Sequence, residues 1–162
     1  GGRRVEQTVI NGEKKESLSS PFTIKTYTGI AVREVWGEVR GFILQALAFS
    51  RGELDIQTIW KACQQEHIQL WVISQEGRPV CVMLTELCLY ARKKSCNIVA
   101  VAGRQTQIIW KAFLPFLRTW IIANEIDEIQ ATCRPSVARL ISTLGFQETA
   151  RVMTISCKEW TP

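Results

Sequence analysis

The sequence predicts a mixed α/β fold of the α+β type: a mostly antiparallel central sheet, flanking helices and one parallel βαβ crossover. Three observations carry this prediction. The first half holds two helical apolar stripes, and a hairpin follows them. The stretch from Cys96 to Phe146 then reads strand, glycine turn, long apolar helix, strand, short helix, Gly-Phe. A strand that feeds a helix through a short glycine turn, and returns to a second strand, is the parallel crossover unit. With 162 residues, 46% of them hydrophobic, the chain fits one domain with one filled core.

Residues 1–30 differ from the rest. The stretch to Ser20 is polar and aperiodic, and reads as a flexible or extended N-terminal arm. Within it, Pro21 to Tyr27 alternates as a short edge strand would. The folded domain is expected over residues 31–162. From Glu34, the residues Val35, Trp36, Val39, Phe42, Ile43, Ala46 and Leu47 form one helical stripe, with Gly37 and Gly41 off it. Ser50-Arg51-Gly52 ends this helix. Asp55 is placed to cap the next, whose buried face is Ile56, Ile59, Trp60 and Cys63.

The period then changes to two. Gln69–Ser74 and Pro79–Thr85 read as a hairpin around Glu76-Gly77, with the second strand running on toward Tyr90. That strand is apolar on both faces, so it lies inside the sheet. Arg92-Lys93-Lys94-Ser95 turns the chain into the strand Asn97–Ala102, antiparallel to its predecessor. The helix from Gln107 to Asn124 buries Ile109, Phe113, Phe116, Leu117 and Trp120; Pro115 inside it predicts a kink or a break into two helices. A strand follows over Ile126–Cys133. Pro135 opens a short helix that ends at Leu144, with Gly145 as its left-handed cap and Phe146 packing back. Ala150–Cys157 is expected to close the sheet as a final strand.

Charge and cysteine content narrow the function classes. The net charge of +5 is a mild bias that suits phosphate-bearing small ligands, and equally a mixed, solvated surface. Six cysteines include no CxxC pair, and there is one histidine, so no metal site is expected. Cys81, Cys88, Cys96, Cys133 and Cys157 fall in predicted strands, as buried reduced thiols of a reducing compartment. No apolar run reaches the length of a membrane span, and no secretory leader pattern is present, so a cytoplasmic location is expected.

Several residues stand out chemically. Glu86 follows a buried-looking strand, where a carboxylate can act as a general base; the structural alternative is a strand-end carboxylate in solvent or paired with Arg92. Arg134 lies just past the end of a predicted parallel strand and faces the same crevice as the glycine turn, or pairs with Glu128. His67, between helix and strand, reads as a surface or capping residue. Arg92-Lys93-Lys94 reads as a solvated turn, and nucleic acid is not the expected partner. The six tryptophans default to core, with Trp110 beside the stripe and able to line a crevice or partner surface. Ser136 has no histidine and aspartate at a recognisable spacing.

This order of elements, with Leu144-Gly145-Phe146 after the short helix, resembles the GCN5-related N-acetyltransferase (GNAT) superfamily over about residues 30–157. Trp71, Thr85-Glu86, Gly103, Trp110, Trp120 and Arg134-Pro135 also resemble short, divergent members encoded by bacteriophages. The resemblance implies an acyl-coenzyme A-dependent N-acyltransferase, with acetyl-coenzyme A as donor and an amine as acceptor. It implies that the strands near 97–102 and 126–133 splay, with pantetheine in the gap. The loop Ala102, Gly103, Arg104, Gln105, Thr106, Gln107, Ile108 would then hold the pyrophosphate, with Arg104 and Arg134 adding charge and Glu86 as catalytic base.

Two departures cut against it. The loop reads Arg104-Gln-Thr-Gln-Ile-Ile109, without the glycines of the usual Arg/Gln-x-x-Gly-x-Gly/Ala pattern. Ile141 stands where the family often has a proton-donating tyrosine. The alternative is a non-catalytic GNAT-fold structural or binding module, such as a bacteriophage virion component, whose 1–30 arm contacts a protein partner.

Overall fold

The computed structural model describes residues 3–10, 22–48, 52–104 and 106–162, and only the backbone at 3–10 and 106–108. The chain divides into two compact units, one ending at Thr132 and one running from Cys133 to Pro162. The first unit holds a six-stranded sheet in sequence order: β1 (Arg3–Ile10), β2 (Phe22–Gly29), β3 (Ile68–Gln75), β4 (Arg78–Leu89), β5 (Lys94–Gly103) and β6 (Glu128–Ala131). Each neighbouring pair is antiparallel except β5 and β6, which are parallel. The mixed, mostly antiparallel sheet with one parallel crossover is therefore present.

The segment expected as an arm is in part sheet. β1 pairs with β2 from Arg3/Gly29 to Ile10/Phe22, and Phe22 and Ile24 are each 1% exposed. The folded domain thus begins ahead of residue 31. The sequence hid β1 because its two faces, Val5-Gln7-Val9 and Glu6-Thr8-Ile10, mix polar and apolar residues. The Pro21 start of the expected edge strand and the Ser50-Arg51 helix stop lie outside the described residues.

One face of the sheet carries α1 (Trp36–Leu47) and α2 (Ile56–Gln64). Val39 and Ile43 of α1, and Ile59 and Cys63 of α2, pack with Leu70, Val72, Val82, Leu84 and Ala102 of the strands. Alternate residues of a strand share a face, so Trp71, Cys81 and Met83 point to the other side. There, α3 (Thr106–Ala123) sets Phe113, Phe116 and Trp120 edge-on around the Trp71 ring, at centroid distances of 5.4, 5.7 and 5.2 Å. Trp110 is buried as well, so it belongs to the core. Asp55 caps α2: its carboxylate accepts the Thr58 N–H at 2.8 Å, and this bond lowers its pKa.

Helix α3 runs unbroken through Pro115. Proline removes one N–H, the one that would reach the Lys111 carbonyl, and its ring faces solvent, so two helices are not needed. β6 is shorter than the expected Ile126–Cys133 and spans Glu128–Ala131.

The second unit holds α4 (Pro135–Ser142), with proline in its first turn. Gly145 (φ +103°) and the Phe146 N–H donating to the Ile141 carbonyl at 3.3 Å close it as a left-handed cap. The expected strand Ala150–Cys157 does not form: these residues are irregular and exposed. A strand needs a neighbour to take its N–H and C=O groups, and this unit contains no other strand among its described residues. Cys133 and Cys157 are correspondingly exposed, not buried in strands as expected.

Candidate functional site

The partial pairing of β5 and β6 defines the site. Their ladder has four rungs, Ser95/Glu128, Cys96/Ile129, Asn97/Gln130 and Ile98/Ala131. β5 then runs on from Val99 to Gly103 with no β6 residue beside it. On its other side it stays paired to β4 out to Gly103/Cys81. The ladder between the strands expected at 97–102 and 126–133 thus stops after Ile98, where β6 itself ends at Ala131. Unpaired strand edge in that stretch is a row of backbone donors and acceptors that an extended polyamide can match.

A bulge sits where the strands part. Leu84 is opposite Ala100, and Thr85 is opposite Ile98, so Val99 is an extra residue with no partner across the ladder. Both Val99 and Ala100 pack toward the α1/α2 side.

Gly103 turns β5 into α3. Its φ is +146°, and a Cβ there would overlap the Val80 carbonyl and come within 2.5 Å of the Cys81 Cα. The next residue locks the turn, as the Arg104 N–H donates to the Val80 carbonyl at 2.8 Å. α3 starts two residues later, so its first amides, which have no partner within the helix, follow the open edge directly. The Arg104 side chain is exposed and Ala102 is buried. Gln105 lies outside the described residues, as do the side chains of Thr106, Gln107 and Ile108. Behind α3's first turns an apolar recess of about 10 Å³ is lined by Ile73, Cys81, Met83, Val101, Ile109, Trp110 and Phe113. It holds a water-sized sphere at most, so it is a packing gap and not an acyl pocket.

Glu86 is half-buried on β4, opposite Asn97 and one rung before the split. Its Oε1 accepts from the Asn97 Nδ2 at 2.9 Å, so its partner is an amide and not Arg92. Leu84 belongs to the α1/α2 face, and Glu86 two residues on shares it. On the opposite face lies a buried polar chain. The Trp71 Nε1–H donates to Thr85 Oγ1 at 2.9 Å, and that hydroxyl donates to Gln69 Oε1 at 2.8 Å. Sequence reasoning missed Asn97, although a lone amide in a run of small apolar residues was its signal.

The remaining candidates are placed as follows. Arg134 is the residue before α4, in the second unit, and Ile141 is buried there. Two of the three cations at 92–94 are engaged locally. Lys93 pairs with Glu128 at 2.8 Å, while the Lys94 ammonium donates to the Asn124 carbonyl at the end of α3, also at 2.8 Å. They tie the β4–β5 turn to the α3–β6 connection. His67 is exposed. Burial pushes the thiols of Cys63, Cys81 and Cys96 up to about 12, so none is a ready nucleophile.

No family model and no curated protein sequence matches the chain. Solved structures do. An aminoglycoside N-acetyltransferase, AAC(6')-Iy in complex with CoA, is similar at a TM-score of 0.65 and 13% identity, over 88% of this chain and 99% of that one. A predicted acetyltransferase with acetyl-CoA from Clostridium acetobutylicum is similar at 0.61 and 10% identity, over 85% and 97%. AAC(6')-Iy in complex with a bisubstrate analogue, CoA-S-monomethyl-acetylneamine, matches at 0.60 and 16% identity, over 83% and 97%. The fold of this chain is GNAT-like.

Proposed function

We propose that this chain is an acyl-coenzyme A-dependent N-acyltransferase that transfers an acyl group, acetyl in the simplest case, to an amine. The observation that carries this reading is the parting of β5 from β6 after Ile98, with the free β5 edge leading through Gly103 to the start of α3. The pantetheine arm is a chain of amides and can pair with the Val99–Gly103 edge. The pyrophosphate then falls at the turn 103–108, where helix amides and Arg104 supply donors and charge. Similar folds with CoA or acetyl-CoA bound support this donor.

In this reading Glu86 accepts a proton from the acceptor ammonium, and the amine nitrogen attacks the thioester carbonyl. A C–N bond forms, the C–S bond breaks, and coenzyme A leaves as a thiolate. The nitrogen sheds a second proton on becoming the amide, and this proton reaches the thiolate through water, since an isoleucine at 141 has none to give. Calorimetric titration with acetyl-coenzyme A tests the reading: saturable heat supports it, and no heat at millimolar ligand removes it.

Ile141 and the loop without its two glycines favour a second reading, in which the fold is kept as a non-catalytic binding or structural module, such as a virion component. Its mark is co-purification in a defined assembly by a protein that takes no acetyl-coenzyme A.

A further inference from the structure

Glu86 and Asn97 face one another across β4 and β5, one rung before the strands part. Both backbones are held by ladders. Asn97 lies between β4 and β6, and Glu86 lies between β3, at Ile68, and β5. Both side chains are half-buried, and the amide Nδ2 donates to Oε1 at 2.9 Å. A neutral amide differs from an arginine or lysine in this place. It fixes the carboxylate by one oxygen without cancelling its charge, and leaves the other oxygen as an acceptor.

We infer that Asn97 is a positioning residue: it holds the Glu86 carboxylate so that Oε2 meets a protonated aliphatic amine at the mouth of the split. The inference rests on the transferase reading above. It adds that the acceptor is taken as an ammonium ion, and that Asn97 acts only through Glu86.

A double-mutant cycle separates the two. Initial rates are measured with acetyl-coenzyme A as donor and ethanolamine, glucosamine or spermidine as acceptor, for wild type, Asn97→Ala, Glu86→Gln and the double variant. Thermal unfolding of each checks that it folds. Asn97→Ala is expected to lower kcat about tenfold, the size of one charge-assisted hydrogen bond, and to leave KM for acetyl-coenzyme A within about twofold. In the Glu86→Gln background the same change is expected to do nothing further. Equal losses in both backgrounds overturn the positioning role and leave Glu86 as base intact. A Glu86→Gln variant as fast as wild type overturns the base itself; an Asn97→Ala loss in that variant then means that Asn97 touches the acceptor directly, which also overturns the inference. If wild type transfers to none of the three amines, the positioning role is withdrawn together with its premise.

Discussion

Replacing Gly103 by alanine tests whether the turn between β5 and α3 is built as described. Two penalties act at that position. At φ +146° an L-residue is strained, by about 1–2 kcal/mol on the scale of left-handed backbone. The new methyl would also overlap the Val80 carbonyl and lie 2.5 Å from the Cys81 Cα. Those are backbone atoms of an internal strand, so no side-chain rotation relieves the clash, and overpacking of this kind costs about 1–3 kcal/mol. The sum is a loss of about 2–5 kcal/mol, read as a lower urea midpoint at unchanged slope. Two other glycines grade the effect. Gly145 has φ +103° but open space around it, so Gly145→Ala should cost only the strain, about 1–2 kcal/mol. Gly41 has open space and sits on the exposed side of α1, so Gly41→Ala should stabilise by about 1 kcal/mol. A Gly103→Ala protein within about 0.5 kcal/mol of wild type, or more stable than Gly145→Ala, would refute the reasoning.

Other perturbations have equally definite outcomes. Thr85→Val strands both the Trp71 indole N–H and the Gln69 carbonyl in the core, and should cost about 2–4 kcal/mol by chemical denaturation. A near-neutral result would mean that the chain of bonds is not formed. The buried thiols of Cys63, Cys81 and Cys96 have folded-state values raised to about 12 from 9.0, so their contribution is whole below pH 9 and is lost as pH climbs toward 12. Each thiol should remove roughly 1 kcal/mol per pH unit in that window, and a Cys63→Ala, Cys81→Ala, Cys96→Ala variant should show a flatter stability curve there. Arg104→Ala should weaken coenzyme A binding about tenfold at low salt, with the gap narrowing as salt rises. An unchanged Kd would remove Arg104 from the phosphate site.

Local chemistry made much of this fold readable. Asp55, Gly145 with Phe146, and the apolar stripes of the helices act within a few residues, so their outcome follows from neighbours in sequence. The even apolar content of β4 announced an internal strand for the same reason. What could not be read depends on pairing. β1 mixes polar and apolar residues on both sides, and only its full ladder with β2 identifies it. Ala150–Cys157 alternates convincingly yet has no strand partner in its own unit, so its pattern misled. Pro115 looked like a break, but its exposed position lets α3 pass through it. At the site, Gly103 and Glu86 were visible as residue types at turning points. The Val99 bulge and the Asn97 clamp were not, because both are facts of register between β4 and β5.

In the proposed reaction the β5 edge beyond Ile98 receives the donor. Backbone amide shifts recorded by NMR during a coenzyme A titration address it residue by residue. Saturable shifts are expected at Val99–Arg104 and the first turn of α3, with β1 and β2 unmoved. No shift at millimolar coenzyme A, or shifts elsewhere with Val99–Arg104 silent, would contradict it.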